Sequence, residues 1–372
     1  MRVLFVNTNQ SRTFGGVERW MMDAAAGLAA RGHSCVMLGR PRAPWAAAAR
    51  ARGIRVRDDH YGAWIMRVLR LRSAIRAERP DVVVVKAKKV ARMASWARAT
   101  GGGGRVALFF GLTGELDPKR WLDRHTWRRV DAGIDIAYGS VRWYVEHGFG
   151  PPQKHYVFWK GVDLAPFDLG IALRSATREG LGLGEDEIAI GTVCRLAWQK
   201  GLDRFFAAIP AIRSRVPGAR FLVVGGGRDA PLVEAEAAKL GGAVRFLGQR
   251  DDVPALLAAL DVFVQPSRQE VMVQTTLEAM AAGRAVVSTA TVGADEAIED
   301  GASGVIVPVE DHVALADAVA ALAGAPARRA ALGRAARARI ERHFTMEQML
   351  ARCETVLQAI ARGEGAPGPP TG

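Results

Sequence analysis

Short continuous apolar runs alternate with longer segments of helical periodicity along most of this chain. Helical patterns begin at Val17 and cover residues near 62–79 and 87–98, and each stands between two apolar runs. Continuous apolar strands separated by helices are typical of βαβ units, which build a parallel sheet buried on both faces. In the first half the runs are RVLFVNT, SCVML, DVVVV, VALFF, DAGIDIAYGS and HYVFWKGVD.

The second half repeats this rhythm with EIAIGTVCR, RFLVVGGG, AVRFLG, LDVFVQPS, AVVST and GVIVP. Strand periodicity is lost near 161–186, where Gly, Pro and charged residues accumulate, so we predict one domain over 1–165 and another over 166–344. Open parallel sheets bind ligands outside the carboxyl ends of their strands, so both doubly wound domains are expected to face a common cleft. Residues 326–362 are predicted to be helical, and the last helix starts at FTMEQML.

The composition is that of a globular protein, with 49% hydrophobic and 24% charged residues among 372 and a loose tail at 363–372. No run reaches the roughly 18 apolar residues of a membrane span, and the first residues lack a signal-peptide pattern. Three cysteines, Cys35, Cys194 and Cys353, are far apart and odd in number, which favours a reducing compartment. We therefore expect a cytoplasmic protein.

The net charge of +13 is concentrated in the first half. Residues 1–165 hold 29 Lys and Arg against 13 Asp and Glu, together with eight of the nine tryptophans. Cations mixed with Trp favour an anionic partner, such as phospholipid headgroups or a phosphorylated acceptor, with nucleic acid the least favoured. The competing interpretation is an arginine-rich surface that is simply solvated.

A candidate anion-binding motif follows the first strand of each half: a glycine pair in the first half and an Arg–Lys pair in the second. Gly15 and Gly16 precede a predicted helix, where glycine permits close backbone approach and the helix N-terminus favours an anion, although a plain tight turn has the same pattern. Arg195 and Lys200 flank the end of EIAIGTVCR and can hold a diphosphate, the first as a fork and the second as a point charge. LVVGGGRDAP is not GxGxxG, which makes a nicotinamide dehydrogenase a minor alternative.

Two carboxylates stand where the strand LDVFVQPS gives way to the apolar helix TTLEAMAAG. Glu270 lies in the connecting loop and Glu278 within the helix. A glutamate at the ligand-facing end of a helix can accept hydrogen bonds from the paired hydroxyls of a ribose, and Glu270 can do so for sugar hydroxyls. The competing interpretation is two solvated glutamates that favour the helix dipole by about 0.5 kcal/mol each.

The order and spacing of the motifs along the chain favour ligand-binding glutamates over solvated ones. CRLAWQKG, VVGGG, VRFLGQRDDVPALLAALDVFVQPSRQE, LEAMAAGRAVVST and DGASGVIVP together resemble the family 4 glycosyltransferases, which are retaining, nucleotide-sugar-dependent enzymes of the GT-B fold. FGGVE and KGVD look like that family's acceptor-side glycine loop and hinge motif. The resemblance covers nearly the whole chain, and it is more specific in the second half than in the first.

The resemblance implies a role for each candidate residue. Arg195 and Lys200 would hold the donor diphosphate, Glu278 the ribose, and Glu270 the transferred sugar, so that catalysis rests on Glu270, Arg195 and Lys200. It also implies that residues 345–362 form a helix returning to the first domain, and that the reaction needs no metal or other cofactor. The donor-binding residues it implies are Gly15, Gly16, Arg195, Lys200, Glu270, Val271, Met272, Val273, Thr275, Leu277 and Glu278.

This chain departs from the family pattern at several of these positions. After Glu270 the family usually has a Gly-aromatic-Gly or Gly-aromatic-Pro turn, and here the sequence is Val271-Met272-Val273, whose β-branched residues resist positive φ. Other family residues are replaced as well: Cys194 stands for a glycine and Lys160 for an asparagine. The usual histidine after the fifth strand is absent, and the residues there are Phe110 and Gly111, followed by Thr113 and Glu115.

The acceptor side is predicted from the basic half. Trp64, Val68, Leu71 and Ile75 form one apolar stripe flanked by arginines, which favours either contact with an anionic membrane or packing on the sheet. We expect an acceptor that is a lipid-linked or cell-envelope glycan, at the inner face of the cytoplasmic membrane. Two alternatives stay open: a nucleotide-sugar epimerase of the same fold, and a non-catalytic protein that binds sugar nucleotides or nucleic acid.

Overall fold

The computed structural model describes residues 1–8, 16–40, 42–58, 61–100, 103–109 and 121–367. The chain divides into two compact units. The first consists of Met1–Lys160 together with Glu347–Gly372, and the second is Gly161–Met346.

The first unit is built on a parallel sheet with the strand order β3-β2-β1-β4-β5-β6-β7. The apolar runs form these strands because helices cover the faces of the sheet and bury most of the strand side chains. The side chains of Val82–Val85 in β4, for example, are completely buried. The strands are β1 (Arg2–Asn7), β2 (Ser34–Gly39), β3 (Arg55–Arg57), β4 (Val82–Lys86), β5 (Arg105–Phe109), β6 (Ala132–Asp135) and β7 (His155–Val157).

The helices of the first unit come from the periodic segments and from the end of the chain. They are α1 (Gly16–Ala30), α2 (Pro44–Ala51), α3 (Trp64–Glu78), α4 (Lys88–Ala99), α5 (Trp121–Arg129), α6 (Tyr138–Glu146) and α16 (Met346–Arg362), with a 3₁₀ turn at Pro152–Lys154.

The last helix packs on α1 within the first unit. Gly27 lets the two helices approach, because a Cβ at that position would lie 2.4 Å from the side chain of Leu350. The last helix also makes polar contacts through Glu354, whose carboxylate lies 3.0 Å from Arg31 and 2.7 Å from His33.

The apolar stripe of helix α3 was interpreted either as a membrane contact or as a face that packs on the sheet. Val68, Leu71 and Ile75 are buried in the core of the first unit, so these three positions of the stripe pack on the protein itself. The first position of the predicted stripe, Trp64, is 48% exposed. A different set of large apolar side chains on the same helix faces solvent, including Ile65 at 66% exposure and Leu69 at 48%. The sequence pattern therefore located the buried face of α3 but not its exposed apolar face.

The second unit has a parallel sheet with the strand order β10-β9-β8-β11-β12-β13. Its strands are β8 (Ile188–Val193), β9 (Ala219–Val224), β10 (Val244–Phe246), β11 (Val262–Gln265), β12 (Ala285–Thr289) and β13 (Val305–Val307). Its helices are α7 (Ala165–Ala172), α8 (Arg174–Gly180), α9 (Leu202–Arg215), α10 (Ala230–Ala238), α11 (Val253–Ala259), α12 (Gln274–Ala281), α13 (Ala294–Ala297), α14 (His312–Ala323) and α15 (Pro326–His343), with a 3₁₀ turn at Trp198–Lys200.

The two sheets, each parallel and flanked by helices, confirm the predicted α/β fold with two Rossmann-like domains. The sequence pattern does not predict α2, β3, α5, α7 and α8, which are short. Among the described residues, no helix has the length and apolar content needed to span a lipid bilayer.

Residues 161–186, where the sequence loses strand periodicity, form a structured part of the second unit. Asp261, just before β11, accepts hydrogen bonds from Arg174 at 2.7 Å and Arg178 at 3.0 Å, both on α8. Its carboxylate also accepts the N–H of Ala189 in β8 at 2.8 Å. One carboxylate thus attaches α8 to two central strands.

Replacing Asp261 with Ala should destabilise the second unit. The side chains of Asp261 and Arg178 are only 14% and 11% exposed, so the change leaves a largely buried guanidinium without its charge partner. We expect the free energy of unfolding in urea to fall by about 3 kcal/mol. The control is Asp317→Ala, which breaks an equally short but exposed pair with Arg215 and should cost less than about 1 kcal/mol. Equal losses in the two variants would contradict this assignment.

Candidate functional site

Strands β8 and β11 lie side by side at the centre of the second sheet. The chain leaves β8 toward β9 on one side and leaves β11 toward β12 on the other. In a doubly wound sheet this is the point where the strand order reverses, and the loops that diverge there leave a crevice at the carboxyl ends of the strands. Arg195 and Lys200 follow β8, and Glu270 follows β11, so the candidate residues converge on this crevice.

The loop after β8 packs directly on the glycine run that follows β9. A Cβ at Gly225 would lie 1.9 Å from the carbonyl oxygen of Cys194, and one at Gly227 would lie 2.4 Å from that of Leu196. The N–H of Leu196 donates to the carbonyl of Gly226 at 2.9 Å. The glycines of VVGGG therefore serve to bring two backbone segments together.

Arg268 ties the loop after β11 to the loop after β8. Its backbone N–H donates to the carbonyl of Gln199 at 2.9 Å, and its Nη1 donates to the carbonyl of Trp198 at 3.0 Å. The guanidinium also donates to both carboxylate oxygens of Asp203, at 2.7 and 2.6 Å. Hydrogen bonds from Arg268 hold the pKa of Asp203 below its usual value.

Lys200 and Glu270 form an ion pair where these two loops meet. Their side chains are 12% and 13% exposed, so the pair is largely shielded from water. Because an ammonium group has three donors, Lys200 retains hydrogen-bonding capacity beyond its contact with Glu270. The arrangement provides a cation and a carboxylate at one point of the crevice.

Arg195 is a cation of this site that has no side-chain partner in the described part of the chain. It is exposed, and its guanidinium forms no hydrogen bond or ion pair with any residue that the structure describes. Its charge contributes to lowering the pKa of Asp229, after the larger effects of the hydrogen bonds from Arg228 and from the N–H of Trp198. An anion that reached the crevice would find this guanidinium available.

The turn after Glu270 accommodates its unusual sequence. Met272 has a φ of +38°, so the left-handed position falls on the unbranched residue and not on either valine. Its N–H donates to the carbonyl of Val292 at 3.2 Å, and Val271 forms a bridge to the same residue. The side chains of Val271, Met272 and Val273 are buried.

Helix α12 carries the remaining candidates. Glu278 is half-buried in the middle of the helix. Thr275 donates through Oγ1 to the side-chain oxygen of Gln265 at 3.3 Å. Leu277 is completely buried, and its N–H donates to the carbonyl of Val273 at 3.3 Å, so both its side chain and its amide are occupied within the protein.

In the first unit, β1 and β4 are neighbours at the corresponding reversal of strand order. Gly16 is the first residue of α1, and a Cβ there would lie 3.5 Å from Nζ of Lys160. Glu18, in the first turn of the same helix, is buried and paired with Lys86 at the end of β4. Sequence reasoning had not singled out Glu18 or Lys86.

Several predicted positions lie outside the described residues. They are Gly15 of the glycine pair and the residues at the missing histidine, Phe110, Gly111, Thr113 and Glu115.

Two family models match parts of this chain. The family model "Glycosyltransferase Family 4" matches residues 14–166, and the model "Glycosyl transferases group 1" matches residues 187–324. Together they cover most of the chain.

Two curated relatives are about one third identical to this chain. The GDP-mannose-dependent monoacylated alpha-(1-6)-phosphatidylinositol monomannoside mannosyltransferase of Corynebacterium glutamicum is 31% identical over 64% of this chain and 66% of its own length. The lipopolysaccharide core biosynthesis mannosyltransferase LpsB of Rhizobium meliloti is 31% identical over 63% of this chain and 67% of its own length. The match to the first relative therefore spans slightly less than two thirds of that protein.

A solved structure shares the fold. Anabaena HepE in complex with UDP superimposes with a TM-score of 0.83, at 20% identity, over 96% of this chain and 100% of that chain.

Replacing Gly201 with Ala should disrupt the junction of the two loops. Gly201 has a φ of +64°, and a Cβ there would lie 2.0 Å from the carbonyl oxygen of Pro266. Gly241→Ala is the matched control, because Gly241 has a similar φ of +59° but nothing within 4 Å of the added carbon. We expect about 1 kcal/mol of backbone strain in both variants and about 1–3 kcal/mol more in Gly201→Ala. Urea unfolding measures the difference, and equal losses would contradict the close contact.

Proposed function

This chain belongs to the family 4 glycosyltransferases, and we propose that it transfers a sugar from a nucleoside diphosphate sugar to a lipid-linked or cell-envelope glycan, with retention of the anomeric configuration. The observation that carries the proposal is the placement of Arg195, Lys200 and Glu270 at the point where the strand order of the second sheet reverses.

We assign the donor diphosphate to Arg195 and Lys200. Transfer breaks the bond between the anomeric carbon and the diphosphate, and the electron pair leaves with the diphosphate. An acceptor hydroxyl oxygen forms the new bond to the anomeric carbon, and its proton passes to the departing phosphate oxygen. Cations placed in advance beside the leaving group stabilise the charge that develops there, which is electrostatic catalysis without a metal ion. Arg195 is available in the described structure, and Lys200 is already oriented by Glu270.

We assign the two carboxylates to hydroxyl groups of the donor. Glu278 on α12 is proposed to accept from the ribose, and Glu270 from the transferred sugar. The backbone around the turn at Val271–Val273 supports Glu270, since the buried side chains there hold the loop in place. The remaining candidate at the donor, Gly16, would bring the start of α1 toward the sugar phosphate.

The donor base is left to experiment, because the names of the similar proteins point to different nucleotides. The Corynebacterium relative is GDP-mannose-dependent by name, whereas HepE was solved with UDP. The ribose and diphosphate are common to both, and the proposed roles of Glu278, Arg195 and Lys200 concern only those common groups.

For the acceptor, we propose an anionic membrane surface that meets the first unit. The relatives named above act on a phosphatidylinositol mannoside and on lipopolysaccharide core. On α3 and α4 an exposed apolar cluster, defined here as Trp64, Ile65, Met66, Leu69 and Trp96, is joined by an edge contact between its two tryptophan rings at 6.5 Å. Arg67 and Arg70 lie on the same helix, which is the combination that favours peripheral binding to anionic lipid. The proposed location is the cytoplasmic face of the membrane.

Calorimetric titration tests the donor assignment. We expect one of UDP, GDP and ADP to bind the wild-type protein, and Glu278→Ala to weaken that binding by about tenfold or more through loss of a charged acceptor. The control is Glu234→Ala, an exposed glutamate on α10 that should change nothing. Binding that Glu278→Ala leaves intact would contradict the assigned site. Conversion of the sugar nucleotide alone into an epimer would contradict transfer.

Sedimentation with lipid vesicles tests the membrane assignment. The double variant Ile65→Ser/Leu69→Ser should bind vesicles of phosphatidylglycerol at least about tenfold less tightly, because it removes two exposed apolar anchors at constant charge. Leu232→Ser/Val313→Ser removes exposed apolar side chains of the second unit and should bind like the wild type. Equal losses in the two pairs, or no vesicle binding by the wild type, would contradict the proposal.

A further inference from the structure

A cavity lined by arginines lies at the amino-terminal edge of the first sheet. Its volume is about 960 Å³. Arg2 begins β1 and Arg105 begins β5, while the ends of α3, α4 and α16 supply the other cations. The six arginines that line it are Arg2, Arg76, Arg79, Arg98, Arg105 and Arg362.

Among the described residues, two carboxylates line the same cavity. Asp81 faces Arg2, whose backbone N–H donates to it at 2.7 Å and whose guanidinium lies 3.6 Å away. Asp131 pairs with Arg98 and lies 3.7 Å from Arg105. Arg362 binds Glu364, which is not part of the lining. The six arginines therefore outnumber these three carboxylates.

The ends of helices explain some of these arginines but not all. A cation in the last turn of a helix interacts favourably with the dipole, and Arg76, Arg98 and Arg362 occupy such positions. Arg105 is the first residue of a strand, and the backbone of Gly363 packs on its guanidinium, since a Cβ there would lie 2.2 Å from Nη2.

Arg79 stands out within this group. It caps α3 in the left-handed conformation, with a φ of +45°, a position where glycine or asparagine is the common choice. Its exposed guanidinium makes no hydrogen bond or ion pair with another side chain among the described residues. The guanidinium of Arg79 therefore does not stabilise the described structure through a side-chain contact, although its backbone lies in a strained conformation.

We propose that this cavity binds an anion that carries phosphate groups. Guanidinium forks match phosphate oxygens in a bidentate geometry, and here several of them converge on a space large enough for a phosphorylated group. The cavity lies at the edge of the first sheet opposite to Gly16 and Lys86, and the candidate donor site belongs to the second unit. It is a separate site, and it does not depend on the proposed transferase activity.

The phosphate can come from a soluble molecule or from a lipid headgroup. Two of the three helices whose last turns line the cavity, α3 and α4, also carry the exposed apolar cluster. The shared chemistry is a multiply charged phosphate, and separate probes distinguish its sources.

The test for a soluble ligand is calorimetric titration of the full chain with inorganic pyrophosphate at about 0.15 M salt, where weak surface attraction is screened. We expect a binding event that persists in Arg195→Gln/Lys200→Gln, which alters the donor site, and weakens by about tenfold or more in Arg79→Gly/Arg105→Gln. Arg50→Gln/Arg52→Gln, in the same unit with the same loss of charge, is the control and should bind like the wild type. The single variant Arg79→Gly should weaken binding without lowering Tm, because glycine suits the left-handed backbone.

The test for a headgroup uses vesicles of phosphatidic acid against vesicles of phosphatidylcholine. Weaker binding to phosphatidic acid in Arg79→Gly/Arg105→Gln than in Arg50→Gln/Arg52→Gln assigns the cavity to a lipid, and an effect confined to pyrophosphate assigns it to a soluble anion. Equal weakening in both pairs of variants with both probes, or pyrophosphate binding that only the donor-site variant abolishes, would overturn the proposal.

Discussion

The candidate site of this protein depends on the close approach of two loops at the centre of the second sheet. Gly201 leaves room for the carbonyl of Pro266, and Arg268 then ties the loop after β11 to the loop after β8 through backbone and side-chain hydrogen bonds. Only with both loops in register do Lys200 and Glu270 meet. The two groups are distant in the chain, so their contact follows from the neighbouring positions of β8 and β11 in the sheet.

The charges at this junction are unequally balanced, and the imbalance agrees with binding of an anion. Lys200 is paired and largely shielded, whereas Arg195 is exposed and has no partner among the described residues. A paired lysine holds its orientation, and an unpaired arginine retains its attraction for a phosphate. The same contrast recurs in the first unit, where Lys86 is paired with the buried Glu18 and Arg79 is exposed at a strained cap.

The basic character of the first half has distinct structural origins. Part of it serves the fold, as in the pair of Arg98 with Asp131 and the placement of Arg76 in the last turn of α3. Other arginines, such as Arg67 and Arg70, lie on the helix that carries most of the exposed apolar cluster, and Arg79 lines the cavity at the amino-terminal edge of the sheet. A charge count cannot separate these groups, because it does not register which guanidinium faces a carboxylate.

The sequence by itself determined the α/β class, most of the strands and longer helices, and the family, because apolar periodicity and motif spacing are local properties of the chain. The sequence also showed that Val271-Met272-Val273 replaces the glycine turn usual in the family. Only the structure showed that Met272 takes the positive φ. The tertiary structure alone decided the strand order, the contact of Lys200 with Glu270, and the role of Arg268. It also decided that α3 buries Val68, Leu71 and Ile75 and leaves Ile65 and Leu69 exposed. These features join residues far apart in sequence, and their energies depend on which groups are brought together and withdrawn from water, which no local pattern encodes.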